Sequence, residues 1–297
     1  MNRTILLFGA LLTVLPMTAS GQDDARIVAT LRAVYQNWRA AMVRKDAIGW
    51  KRHTSTHRLV TVRNRIWSER RAFPNAVFEV PFAPPSLKNL KAMSVQLNGA
   101  TAKATYFGKV DFGVGGKPGD NLWVISYIRE AQGWKYDGGE FVKLDALPAV
   151  RKQLQAGDTT FLKGKDFKPD GVVKPLPVAI RGPVKYIAKT YVYCPGREVR
   201  LMVNGISSHL YQNTKRSEVI VGGARDGKNE VQFSIKDIPG GDPKAPIAIR
   251  VYLMSEVEGT KPIPILNYQI EDGSKPRSSG TLNFEVDRAT ARKLTGR

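Results

Sequence analysis

Cysteine is almost missing: Cys194 is the only one in 297 residues. A disulfide framework, a cysteine-rich zinc site and a thiolate-ligated iron–sulfur cluster are therefore excluded within one chain. Histidine is scarce too, with three, so a histidine-rich metal site is not expected. Acidic side chains are also few. Twenty-six Asp and Glu face 46 Lys and Arg, a formal net charge of +20 that suits acidic or phosphorylated partners. Past the N-terminal segment, no apolar run reaches the roughly 18 residues of a membrane-spanning helix. The remaining composition is globular. Hydrophobic residues make up 42% and charged residues 24%, enough apolar material for a core without wholesale disorder. The length allows two ordinary domains or one large one.

Met1-Asn2-Arg3 precedes the apolar run Ile5–Leu15, then Pro16 and the small residues Ala19-Ser20-Gly21. A basic start, an 11-residue apolar stretch and small residues before a cut describe a signal peptide over 1–21, cleaved before Gln22. The mature chain is then exported, periplasmic or extracellular, with no transmembrane segment. No cysteine follows the cut, so a lipid anchor is not expected. Cys194 lies in Tyr191–Cys194 and reads as a small buried hydrophobe in a strand.

The charge is uneven. Residues 26–71 hold twelve Lys and Arg against two acids, a net +10, and the last ten residues add +4. Half of the excess thus lies near the start of the mature chain.

That region is helical by pattern. Asp23 and Asp24 suit a helix N-terminus. Ile27, Leu31, Val34, Trp38 and Met42 recur at the spacing of one helical face, and Lys45-Asp46 ends the pattern. A short helix over Ala47–His53 follows, then a third over Arg58–Arg71 with a stripe of Leu59, Val62 and Ile66. Arg58 and Arg65 flank that stripe on one side, Arg63 and Arg70 on the other. Their stems can cover the edges of a buried face while the heads stay in water. The functional reading makes them an anion-binding rim, with Trp50 nearby.

Met93, Val95 and Leu97 alternate with polar residues, and Asn98-Gly99 signals a hairpin of type I′. Thr101–Phe112, Leu122–Arg129 and Trp134–Leu144 continue an antiparallel meander. Helices followed by such a sheet resemble the nuclear transport factor 2-like superfamily over about residues 24–144. The resemblance rests on the long first helix, on Lys45-Asp46-Ala47-Ile48-Gly49-Trp50, and on strands ending in Gly133-Trp134-Lys135-Tyr136. It implies an α+β cone, helices packed on a bent antiparallel sheet around a cavity. Members include isomerases, dehydratases and noncatalytic binding modules, so fold alone selects no activity.

Residues 145–183 read as a Pro- and Gly-containing connector that opens with a short helix at Asp145–Leu154. Phe161, Leu162, Phe167 and Val172-Val173 are its docking candidates. Eight short strands between Lys185 and Val286 then argue for an all-β sandwich over 184–287. Val199–Gly205 and Asp226–Phe233 resemble phrases of immunoglobulin-like and galactose-binding-like modules; they describe turns and carry no ligand residues across. Residues 288–297 form a basic tail.

His53-Thr54-Ser55-Thr56-His57 has the i, i+4 spacing of two imidazoles on one helical face, but a zincin needs Glu where Thr54 stands. No metal and no cofactor is expected. His53, His57 and Tyr106 remain acid–base candidates for a cone cavity, with Asp111 as a neighbour. Tyr106 and Asp111 point to opposite faces of one strand unless a bulge intervenes. Gly113–Gly119 lacks the spacing of a phosphate loop, and Pro118 removes an amide donor. Asp237, Asp242, Glu256 and Glu258 bind calcium only if folding gathers them.

The sequence therefore points to an exported noncatalytic binding or interaction protein. Arg58, Arg63, Arg65 and Arg70 would contact anionic glycan, lipid head groups or a protein partner. The alternative is a cone-cavity enzyme of isomerase, dehydratase or hydrolase type. Nucleic acid is not the expected partner, because export removes the chain from most of it and no nucleic-acid module is present.

Overall fold

Lys45 and Asp46 divide the first two helices. Lys45 takes a left-handed φ of 55°, which stops α1 (Ser20–Arg44). Asp46 Oδ1 then accepts the amides of Ile48 and Gly49 at 3.1 and 2.9 Å and caps α2 (Ala47–His53). Ser55 repeats the device, accepting the Arg58 amide at 3.0 Å to cap α3 (Thr56–Ser68). The computed structural model describes residues 20–110, 118–242 and 244–296. Within them the chain is mixed α+β, with five α-helices and three antiparallel sheets. None of the described helices is long and apolar enough to cross a membrane.

The first sheet is a meander of β1 (Lys91–Asn98), β2 (Thr101–Val110), β3 (Gly119–Glu130) and β4 (Gly133–Lys143) in that order. Asn98 pairs with Thr101, so the first hairpin loop is Gly99-Ala100 and only Gly99 has positive φ, at 55°. The type I′ turn expected on Asn98-Gly99 is not formed: the turn lies one residue later, and a single positive φ at its first central residue is the pattern of type II′. β3 is apolar on both faces. Trp123, Ile125 and Tyr127 join the core under α1–α3 with Leu31, Tyr35 and Trp38. Leu122 and Val124 join a second core with Leu144, Leu154, Leu162 and Phe167. The connector, with α4 (Pro148–Gln155), supplies the last three and covers the far face of the sheet. Val172 and Val173 do not dock as expected; they are exposed.

Eight further strands form two four-stranded sheets. One has the order β11 (Ile263–Ile270), β10 (Ile247–Met254), β5 (Ile187–Tyr193), β8 (Lys215–Val219). The other has β12 (Ser279–Val286), β9 (Gly227–Asp237), β6 (Arg197–Val203), β7 (Ser207–Gln212). Alternate residues of both sheets, such as Val192, Val199, Leu201, Val231, Ile249 and Val251, share one core that includes Cys194. The basic C-terminal residues are not an extended tail. They form α5 (Arg288–Thr295), capped by Asp287 and anchored through Leu294 in the same core.

Helix α3 is covered on two sides. Ile66 faces the helical core as expected, but Asn64 and Ser68 are buried as well. Asn64 Nδ2 donates to Val178 O at 2.8 Å, and its Oδ1 accepts the Ile180 amide at 3.2 Å. Ser68 Oγ accepts the Gly222 amide at 3.0 Å, and Trp67 O accepts the Val184 amide at 3.1 Å. The polar face of α3 thus satisfies backbone groups of the connector and of the loop after β8.

Candidate functional site

A cavity of about 550 Å³ opens between α1, α2, α3 and the first sheet. Its walls are aromatic: Trp38 and Trp50 from the helices, Trp123 from β3, Tyr136 and Phe141 from β4. The rings brace one another. Trp38 stacks on Tyr136 at 3.8 Å between centroids, and Trp123 stacks on Phe141 at 4.2 Å. Gly139 makes the second stack fit: a Cβ there would lie 2.1 Å from a Trp123 ring carbon. The segment around Val80–Pro85 forms part of the rim. Tyr35 donates its hydroxyl to Pro85 O and Arg39 its Nε to Pro84 O, both at 2.7 Å, which ties that rim to α1.

Three guanidiniums and one carboxylate line the same cavity: Arg58, Arg65, Arg71 and Glu69. Glu69 lies 3.3 Å from both Arg65 and Arg71, and Arg71 also reaches Glu79 at 2.7 Å. The Arg58 side chain has no ion pair or hydrogen bond among the described residues. Burial pushes the Tyr136 hydroxyl up to about 12, opposed by the Arg58 guanidinium beside it. Tyr35 is raised further, again by burial first and by Tyr136 second.

The four arginines expected to form one rim are divided. Arg58 and Arg65 line the cavity. Arg63 sits on the opposite flank of α3, its guanidinium 5.0 Å from the Trp67 ring. Arg70 lies beyond the end of α3 with φ 54°, paired with Glu256 and donating to Lys185 O at 3.0 Å. Helical-wheel geometry placed the two flanks correctly but not what covers the second one. Trp50 lines the cavity while 2% exposed, so it is wall rather than a free contact.

Asp137 is a site residue that sequence reasoning missed. Ser126 pairs with Gly138 and Tyr127 with Tyr136, so Asp137 is the extra residue of a bulge in β4. The bulge turns its carboxylate toward the α2–α3 junction. There it accepts the Ser55 hydroxyl, and His57 Nδ1 lies 3.8 Å away. Thr54 bridges Tyr136, and the Ser55 amide donates to Tyr136 O at 2.8 Å, which fixes the junction against the bulge. His57 and Asp137 line a second, mixed-charge concavity of about 540 Å³ that shares Arg58, Thr61 and Gly139 with the aromatic one. At 3.8 Å the pair is outside hydrogen-bond reach. The signal in sequence was Asp137-Gly138-Gly139, an acid before two glycines inside a strand pattern.

No match to this chain is found among family models, curated proteins or solved structures. The remaining candidates therefore stand on geometry. His53 lines neither concavity; burial lowers its pKa, helped by Lys135 and Arg52. Tyr106 is core, 3% exposed, with its hydroxyl raised by burial. Asp111 and most of the Gly113–Gly119 loop lie outside the described residues. Asp237 pairs with Arg197 and Glu256 with Arg70, and no cluster of three or more metal-ligating side chains occurs among the described residues.

One arrangement looks catalytic and is better explained as packing. Ser207 Oγ is 2.7 Å from His209 Nε2, and His209 Nδ1 is 2.7 Å from Glu218 Oε2. That is the order of a serine–histidine–acid relay. Yet Ser207 is 1% exposed, and its Oγ also accepts the Val221 amide at 2.8 Å. Both Ser207 and His209 point inward from β7, an edge strand, toward Glu218 of β8, the edge of the other sheet. The chain of bonds satisfies polar groups where the two sheet edges meet.

Proposed function

We propose that the chain is an exported, noncatalytic binding protein. Its first domain is a nuclear transport factor 2-like cone over about 22–144, which takes a small amphiphile with an anionic head. A connector over 145–183 then leads to a β-sandwich over 184–287. The observation that carries the ligand class is Arg58: a guanidinium without an ion pair or hydrogen bond among the described residues, at an aromatic cavity of about 550 Å³. Aromatic walls favour an apolar body, and a carboxylate or phosphate would pair with Arg58. The enzyme alternative is less well supported, because of His53, His57 and Tyr106 none lines this cavity.

Tryptophan fluorescence tests the proposal, since Trp38, Trp50 and Trp123 all line the cavity. The mature chain is titrated with linear and aromatic carboxylates and with the matching alcohols. Saturable changes with the acids, weakened about tenfold by Arg58→Gln, are expected. Equal response to acids and alcohols, or none to either up to millimolar concentration, would refute it.

A further inference from the structure

The outward face of the sheet β11-β10-β5-β8 carries a second recognition surface. Inward residues of β5 are buried, which leaves Lys189, Tyr191 and Tyr193 on the other face. On β10 the same alternation puts Arg250 and Tyr252 outward, and register sets Arg250 opposite Tyr191 and Tyr252 opposite Lys189. All three tyrosine rings are partly exposed. Tyr191 and Tyr193 are two residues apart on one strand, which spaces them by about 7 Å, and Tyr252 sits diagonally from Tyr191 at a similar distance.

Arg250 is held in place. Its Nε donates to Asn267 Oδ1 at 3.0 Å and its Nη2 to Gln269 Oε1 at 2.9 Å. Its guanidinium carbon lies 5.8 Å from the Tyr191 ring centroid. A guanidinium has about five N–H donors, so most remain for a ligand after these two bonds. The strand beside it is shaped as well. Val251 pairs with Leu266 and Tyr252 with Pro264, so Ile265 is the extra residue of a bulge. The bulge opens a concavity of about 450 Å³ whose lining includes Arg250, Tyr252, Pro264 and Asn267.

The outward positions on the strands of this face carry charge of one sign, and the acid nearest Arg250 along its hydrogen bonds, Glu271 just past β11, accepts from Gln269 Nε2 at 3.0 Å. Lys215 of β8 pairs with Tyr193 and joins Lys189 and Arg250 on it. Among the described residues, no Asp or Glu takes an outward position on β5, β8, β10 or β11.

We propose that this face binds an acidic polysaccharide, with uronate carboxylates on Arg250 and sugar rings against Tyr191 and Tyr252. Ring faces accept the C–H faces of sugars, a pre-positioned guanidinium takes a carboxylate, and the Asn267 Nδ2 group, without a hydrogen bond among the described residues, donates to hydroxyls. Three cations are few for a nucleic acid, whose affinity rests on many phosphate contacts. The surface is distinct from the aromatic cavity and does not depend on it.

Affinity electrophoresis of the mature full-length chain tests the assignment, with polygalacturonate, its methyl ester and single-stranded DNA as probes. Retardation by polygalacturonate at low salt is expected, with loss on the methyl ester. Arg250→Gln or Tyr252→Ala should weaken it about tenfold. Arg58→Gln, which lies outside this face, should leave it unchanged, so failure here and failure of the cavity reading are distinguishable. Should Tyr252→Ala not fold, the exposed Asn267→Ala replaces it. The proposal is overturned by no retardation, by folded variants retarded like the parent, or by tighter binding to DNA than to polygalacturonate.

Discussion

The hydroxyl of Ser68 accepts the amide of Gly222, 154 residues away in sequence, at 3.0 Å. The same hydroxyl donates to Asn64 O at 2.7 Å, so both of its roles are filled on a buried side chain. One turn earlier the Asn64 carboxamide pairs with Val178 O and the Ile180 amide. The helix that walls the aromatic cavity therefore also anchors the connector.

Ser68→Ala leaves the Gly222 amide without its partner and should cost about 1–3 kcal/mol in denaturant unfolding. Asn64→Ala should cost a similar amount and raise protease cleavage within residues 169–183. Because both open the same seam, their combined loss should fall short of the sum. Full additivity without added cleavage would show that the seam is not a unit.

Gly139→Ala drives a Cβ to 2.1 Å from the Trp123 ring, whereas a Cβ at Gly138 meets nothing within 4 Å. The first change should destabilise by about 1–3 kcal/mol and alter the near-ultraviolet signal of the stacked rings. The second should leave both almost unchanged. Equal effects would remove the case for a Gly139-dependent aromatic wall.

The buried tyrosines set an alkaline limit. Tyr136 is raised from 10.0 to about 12, with burial the main cause, and Tyr35 and Tyr127 are raised as well. A raised pKa favours the neutral form in the folded state. The stability it contributes is complete below pH 10.0 and is lost as pH rises toward 12. Tyrosinate absorbance should therefore appear in two stages, the second coincident with unfolding. Tyr136→Phe should flatten the loss of stability in that range.

His53 works in the opposite direction. Burial penalises its charged form, with Lys135 and Arg52 adding to the effect, so it titrates below 6.5. A depressed pKa means stability present above pH 6.5 and lost as pH falls through the folded-state value. A proton NMR titration giving 6.5 or higher would contradict the structure, and Lys135→Gln should move the value upward.

Arg70 and Arg58 should separate cleanly. Arg70 pairs with Glu256 on an exposed surface, with side chains 37% and 40% accessible, so Arg70→Gln should cost under about 1 kcal/mol. It should also leave carboxylate binding in the cavity intact, while Arg58→Gln weakens it. Equal loss in both variants would restore a single arginine rim.

Local rules determined much of this chain. Helix α2 spans the expected Ala47–His53, since an Asp cap and the residues after it suffice to place it. Eight short strands after residue 184 follow from alternation and turn residues, and β3 reads as a strand because its apolar run is dense. The candidate arginines Arg58 and Arg65 were legible from one helical wheel. Other features depend on which residues meet across long separations. The second buried face of α3 is Asn64 and Ser68, polar residues that a wheel assigns to water, because their partners Val178, Ile180 and Gly222 are over a hundred positions away. Asp137 and Ile265 are aimed by one-residue register shifts, which composition and periodicity do not encode. The pairing of Arg70 with Glu256, and the absence of such a partner for Arg58 among the described residues, were decided by how the helices, connector and sheets pack, since an ion pair needs proximity that sequence distance does not set.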